Sequence, residues 1–171
     1  MIRIDLRYQI WLFVLLVIFQ IPLLYKYVLF DVSFGFFYVG FLAFFPYKTP
    51  PAIQLTVGFF VGLVMDIFSN TPGMHASASV LIMFAKDYWL VTVTEEPEDE
   101  VNTSVLTLGN LPTIIYLLPL IFVHHLIIFT VEYGRWAGYG QVLYKVFWSS
   151  ILSFVTVFVI DFLIAPRKRR A

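Results

Sequence analysis

Long apolar stretches separated by short polar turns dominate this sequence of 171 residues. A transmembrane helix needs about 20 mainly apolar residues, and residues 112–131 contain no Asp, Glu, Lys or Arg. Charged residues make up only 13% of the chain and hydrophobic residues 60%, whereas soluble domains carry about 25% charged residues. A soluble core of this length could not bury so much apolar surface. The sequence therefore predicts a protein embedded in a lipid bilayer.

Six segments are predicted to form helices of a single all-α transmembrane domain that covers residues 1–171. The expected helices are 8–29, 30–46, 51–68, 74–93, 112–131 and 142–164. The second is the least regular, because its apolar part covers only 32–46 and is short for a crossing. A full span, a strongly tilted helix and a re-entrant element all remain open for it.

The basic residues indicate an orientation, since cytoplasmic loops are enriched in Lys and Arg. Six crossings place both termini on one side. With the termini in the cytoplasm, the bases inside would be Arg3, Arg7, Lys48, Lys86, Arg167, Lys168, Arg169 and Arg170. The bases outside would be Lys26, Arg135 and Lys145. This excess of eight over three predicts a multi-pass membrane protein with both termini in the cytoplasm.

Two hydrophilic stretches fall on the cytoplasmic side in this topology. Residues 95–104 include five acids and no base, which is typical of a solvated loop. The basic tail 166–171 closes the chain. The formal net charge is zero, so the overall charge gives no indication of a nucleic-acid partner.

A four-residue spacing of small and polar residues marks the third predicted helix. Gln54, Gly58, Gly62 and Asp66 fall along one slowly drifting stripe, since an α-helix has 3.6 residues per turn. The two glycines match the small-xxx-small pattern that lets membrane helices approach closely. The stripe therefore predicts a side that faces protein, either within the bundle or against a partner.

Asp66 is the first candidate functional residue, because ionisable groups inside membrane segments are costly and often functional. The helix dipole disfavours a carboxylate at the C-terminal end of a helix. We therefore expect a donor close by, either His75 or the hydroxyl and amide groups of the turn 69–73. A structural role that pins this turn and a role in binding an ion or substrate both remain open.

Other residue patterns favour no enzyme. The adjacent His124 and His125 point about 100° apart on a helix and cannot easily share a metal, and no HExxH motif is present. Asp66 and Asp161 are expected near opposite membrane faces, which excludes an aspartyl-protease pair. The chain has no cysteine for thiolate catalysis. We expect no catalytic residue, no cofactor and no metal.

The stretch from Gly58 through Gly62 and Asp66 to Gly73, followed by a helix start of small residues, resembles the rod shape-determining MreD family. The resemblance implies a small, non-enzymatic scaffold of the cell-elongation machinery in the bacterial inner membrane. It also implies that the scaffold binds MreC and, through it, is linked to MreB filaments and peptidoglycan synthases to control cell shape. Only these four residues carry the family pattern.

The bundle of that family is also similar to the substrate-binding S components of energy-coupling-factor vitamin transporters, which supplies a competing function. Asp66 and residues 69–79 would then line a pocket for a small molecule. Few polar groups converge there in the sequence, so the scaffold is the preferred prediction.

Overall fold

The computed structural model describes residues 6–23, 28–30, 33–94, 110–134 and 139–164, and these residues are mostly helical. Four helices are long and apolar enough to cross a membrane, as predicted for a multi-pass membrane protein. They are α4 (Pro51–Ser69), α5 (Met74–Thr94), α6 (Asn110–Tyr133) and α7 (Tyr139–Ile164). Each packs against the next in chain order.

These four helices begin and end within three residues of the predicted boundaries. Pro51 opens α4, where the missing amide of proline removes no helical hydrogen bond. The helix ends at Asn70, which adopts a left-handed conformation with φ 54°. The predicted acidic loop 95–104 and the basic tail 166–171 lie outside the described residues.

A shorter apolar helix precedes them and is split by a π-helical stretch. It consists of α1 (Leu6–Leu12), the π-helix Phe13–Ile18 and α2 (Gln20–Leu23). The prediction of a helix over 8–29 is wrong at its C-terminal end, because Val28–Leu29 forms strand β1. Pro22 has no amide donor, which favours an end to regular helix in this region.

The predicted helix 30–46 is also wrong. Ser33–Phe34 forms strand β2, which pairs antiparallel with β1. After two residues without regular structure and a turn, the short helix α3 covers only Val39–Ala43. A short Phe-rich run has no periodicity that separates a helix from other buried structure, so apolar content alone was misleading.

Residues 35–44, here called the central segment, are all buried inside the bundle. Irregular backbone at membrane depth is tolerated only where protein or water satisfies its polar groups. Gln20 from α2 performs this role at the start of the segment. Its Nε2 donates to the carbonyl of Gly35 at 2.9 Å, and its Oε1 accepts from the amides of Phe37 at 2.7 Å and Tyr38 at 3.3 Å.

Three further side chains bind the backbone at or beside the two ends of the central segment. The Ser149 hydroxyl accepts from the amide of Phe34 at 2.9 Å. The Tyr116 hydroxyl donates to the carbonyl of Ala43 at 2.8 Å, and Gln9 Nε2 donates to the carbonyl of Phe44 at 3.2 Å. Polar groups from the surrounding helices thus replace the hydrogen bonds that a regular helix would have made itself.

Candidate functional site

The glycine stripe of α4 faces α5 of the same chain. A Cβ atom at Gly62 would lie 2.4 Å from both Ala76 Cα and the carbonyl oxygen of His75, so the two backbones are in direct contact. At Gly58 the nearest atom would be Met83 Cγ, at 2.7 Å. Of the two alternatives for the stripe, the structure shows packing within the bundle, and the stripe is not available to a partner.

Gln54, at the other end of the stripe, is buried and bonded within the chain. Its Nε2 donates to Asp87 Oδ2 at 2.7 Å and to the carbonyl of Thr49 at 2.9 Å. Asp87 also forms an ion pair with Lys86, whose side chain is 1% exposed. Lys86 is therefore not a loop base as the orientation count assumed, and without it the count is seven against three.

Asp66 is buried at the point where α4 meets the start of α5. Its Oδ1 accepts from the backbone amide of His75 at 2.9 Å and from the Thr71 hydroxyl at 3.0 Å. Its Oδ2 accepts from the backbone amide of Ala76 at 3.0 Å. The first amides of a helix have no partner within the helix, and the N-terminal dipole favours negative charge. The carboxylate that is unfavourable at the end of α4 thus caps the start of α5.

Gly73 completes this joint between α4 and α5. It adopts φ 81°, a conformation that residues with a Cβ rarely take, and it directly precedes Met74, the first residue of α5. Asp66 and Gly73 therefore act together to reverse the chain. His75 donates its backbone amide to Asp66, whereas its imidazole contacts the hydroxyl of Tyr38. The sequence did not predict this second contact.

The imidazole of His75 belongs to a buried polar cluster in the bundle interior. The hydroxyl of Tyr38, in the central segment, lies 2.8 Å from His75 Nδ1 and 2.7 Å from His124 Nε2. One phenol thus links α5 and α6. The other ring nitrogen of His124, Nδ1, is buried and has no hydrogen-bond partner among the residues that the structure describes.

His125 adjoins this group with a different set of bonds. Its Nδ1 lies 2.8 Å from the carbonyl of Ile121, so Nδ1 carries the proton and donates it. Its Nε2 then accepts from the Ser153 hydroxyl at 3.1 Å. The ring of Phe36 stacks on His125 at 5.5 Å and meets His75 edge-on at 5.2 Å. We call Tyr38, His75, His124, His125 and Ser153 the histidine cluster.

All three histidines of the chain are in this cluster. His124 and His125 were expected to be interfacial or packing residues, and both are fully buried, as packing residues would be. It gave no role to Tyr38, Gln20 or Ser153. A polar residue within an apolar helix, such as Gln20, is a signal that could have been used.

Asp161 lies at the end of the bundle opposite Asp66. It is 1% exposed and accepts a hydrogen bond from the Tyr8 hydroxyl at 2.6 Å. The two aspartates are therefore not paired. Within the described part of the chain, no three His, Asp or Glu side chains are grouped so as to hold a metal ion.

Comparison with known proteins gives no relative. No protein-family model, curated protein or solved structure shows a significant match to the chain.

Proposed function

We propose that this chain is a non-enzymatic scaffold of the bacterial cell-elongation machinery. It would bind an MreC-like protein and, through it, link to MreB filaments and peptidoglycan synthases. The observation that carries the proposal is the joint between α4 and α5. Gly62, Asp66 and Gly73 of the MreD-like pattern form that joint, and Gly58 packs further along the same contact between α4 and α5, against Met83. Because the few residues that carry the resemblance lie in one contact between two helices, the resemblance supports the proposal better than it would if these residues were far apart in the structure.

The outer surface of the helices also supports a function based on lateral binding. Large apolar side chains cover it, among them Phe84 on α5 at 57% exposed and Phe162 on α7 at 65% exposed. Inside, the carboxylate of Asp66 and the side chain of Gln54 are bonded within the chain. Membrane proteins associate through van der Waals packing of such helix faces and through hydrogen bonds between helices.

The scaffold is tested by capture of its partner from a rod-shaped bacterium. The tagged full chain is solubilised in a mild detergent, and co-purifying proteins are quantified against an unrelated tagged membrane protein. We expect enrichment of an MreC-like protein. Phe84→Ala and Phe162→Ala form a matched pair of exposed phenylalanines on different helices, and capture should fall for the one on the binding face. No enrichment of an MreC-like protein would contradict the proposal.

A vitamin-binding S component is the competing function, and the histidine cluster is the observation that favours it. The imidazoles and the Tyr38 hydroxyl are, however, bonded to one another. A small molecule retained through purification, together with its uptake when an energising ATPase module is co-expressed, would establish that alternative and overturn the scaffold.

The orientation with six passes and both termini in the cytoplasm is part of the proposal. In it the turn after α4 faces outward and the turn before α4 faces inward. The chain has no cysteine, so a single introduced cysteine is the only thiol of the protein that a reagent can label. We expect a thiol reagent that cannot cross the membrane to label Pro72→Cys in whole cells and to spare Pro50→Cys. The reverse pattern would invert the orientation.

A further inference from the structure

The hydrogen-bond chain from His75 through Tyr38 to His124 can be arranged in two ways. A phenol has one proton to donate, and each neutral imidazole has one donor and one acceptor nitrogen. Tyr38 can therefore donate to His124 Nε2 while it accepts from His75 Nδ1, or it can donate to His75 Nδ1 while it accepts from His124 Nε2. The first arrangement places the proton of each imidazole on Nδ1, and the second places both on Nε2.

We propose that His75, Tyr38 and His124 form a proton-binding relay that carries one proton from the Asp66 end of the bundle to His124 in its interior. This inference does not depend on the scaffold function. It stands on the two short contacts of the Tyr38 hydroxyl and on the buried, unpartnered Nδ1 of His124. A buried polar atom without a partner in a native structure requires an explanation.

The transfer balances in protons and charge. A hydronium ion releases a proton to His75 Nε2 and becomes water, and the Nδ1–H bond of His75 breaks as its proton passes to Tyr38 Oη. The original Oη–H bond of Tyr38 breaks, and that proton bonds to His124 Nε2. Tyr38 is neutral before and after. The positive charge moves from His75 to His124, whose two ring nitrogens are then both protonated.

The position of the relay fits uptake from one end of the bundle. His75 is the second residue of α5, next to the joint where Asp66 is buried, whereas His124 lies in the middle of α6. Ionisable residues that face the interior of a membrane bundle commonly mark ion or proton pathways.

The groups that face the relay come from four helices and the central segment. They are Asp66 from α4, Ser79 from α5, His125 from α6, Ser153 from α7 through its bond to His125, and Phe36. Among these facing groups, Asp66 carries a carboxylate, and His125 carries a titratable ring in addition to those of the relay. The bonds of His125 to Ile121 and Ser153 fix its tautomer, so it serves as an internal control.

The relay is tested by ¹⁵N NMR of the histidine rings in the full chain, reconstituted in lipid bilayers. The chain has three histidines, so three pairs of ring nitrogens are observed. At about pH 8, where imidazoles are neutral, we expect His75 and His124 to show the same tautomer. On lowering to about pH 4.5, their signals should shift together towards the doubly protonated form. The signals of His125 should stay unchanged.

A matched pair of tyrosine variants assigns the coupling to the relay. Tyr38→Phe should abolish the joint shift of His75 and His124. Tyr116→Phe removes another buried hydroxyl, which bonds to the backbone of Ala43, and should leave the joint shift intact. Both variants remove one oxygen from the core, so a difference between them reflects position in the relay.

Two results in the unaltered protein would overturn the inference, and neither needs a variant that folds. One is a proton on Nδ1 of His75 together with a proton on Nε2 of His124, because Tyr38 would then accept from both rings and donate elsewhere, for example to Ser79. The other is two imidazoles that stay neutral down to about pH 4.5 while the protein remains folded.

Discussion

The hydroxyl of Tyr8 donates a hydrogen bond of 2.6 Å to Oδ1 of Asp161, which joins the first and last described helices of the chain. Both side chains are buried, at 4% and 1% exposed. The bond closes the bundle at the end opposite Asp66. Each of the two buried aspartates thus fastens one end of the protein, one through a phenol and the other through a helix N-terminus.

Removal of the Tyr8 hydroxyl should loosen this closure. Hydrogen bonds to charged groups contribute about 1.5–3 kcal/mol, so we expect Tyr8→Phe to lower the free energy of unfolding in detergent by about that amount. Tyr144→Phe is the control, because Tyr144 is 56% exposed on α7. Equal stability of both variants would show that the Tyr8–Asp161 bond does not hold the ends together.

The two glycines of the α4 stripe should differ in their tolerance of alanine. At Gly62 the new Cβ meets backbone, so the helices must separate, at a cost of about 1–3 kcal/mol that is typical of overpacking. At Gly58 the closest atom is Met83 Cγ, at 2.7 Å, and the nearest backbone atom is the carbonyl oxygen of Ser79, at 3.1 Å, so the backbone clash is milder than at Gly62. We therefore expect a larger fall in melting temperature for Gly62→Ala than for Gly58→Ala.

Gly140→Ala is the control for this pair. An added Cβ there meets no atom within 4 Å, and alanine is favoured over glycine in helices by about 1 kcal/mol. A Gly62→Ala protein as stable as the Gly140→Ala protein would contradict the close packing of α4 on α5. Larger substitutions such as Gly62→Leu would disturb the fold itself, so they cannot report partner binding.

Replacement of Asp66 by asparagine should uncap α5. Asparagine keeps one acceptor oxygen, but its NH₂ group cannot accept, so the backbone amide of either His75 or Ala76 loses its acceptor. We expect Asp66→Asn to reduce the free energy of unfolding by about 1–3 kcal/mol. Thr71→Val removes only the hydroxyl bond to Asp66 and should cost about 0.5–1.5 kcal/mol.

Hydrogen exchange checks the location of this effect. With one of its two acceptors lost, the first turn of α5 should exchange faster in the Asp66→Asn protein, while α7 should remain protected. An increase in exchange that is uniform throughout the bundle would be incompatible with a capping role. So would exchange in the first turn of α5 that is no faster than in the unaltered protein.

The side chain of Gln20 should be essential for the central segment. Gln20→Leu removes three hydrogen bonds to buried backbone, and at about 1 kcal/mol each we expect a loss near 3 kcal/mol. Gln141→Leu, at an exposed position on α7, is the matched control. If the two leucine variants unfold at the same temperature, residues 35–38 do not depend on Gln20.

Apolar length and turn residues were sufficient to predict α4 to α7. Pro51 at the start of α4 and the turn residues before Gly73 mark chain reversals that local chemistry determines. The stripe ending in Asp66 was correctly expected to face protein, because small and polar residues gain nothing from contact with lipid. These features depend on residues close to one another in sequence.

The central segment and the histidine cluster depend on distant residues, and the sequence did not reveal them. Hydropathy is the same whether a Phe-rich run is helical or irregular. The bonds that make the irregular form possible come from Gln9, Gln20 and Tyr116, up to 73 positions away. Tyr38 likewise meets His75 and His124 across 37 and 86 positions. Only the three-dimensional arrangement brings these groups together.

Native mass spectrometry of the tagged chain, released from its own membrane without prior detergent exchange, tests the proposed function most directly. We expect a complex whose mass equals this chain plus an MreC-like protein, with no small molecule retained. A chain that carries a bound vitamin, or that is associated with ATPase subunits and no MreC-like protein, would contradict it.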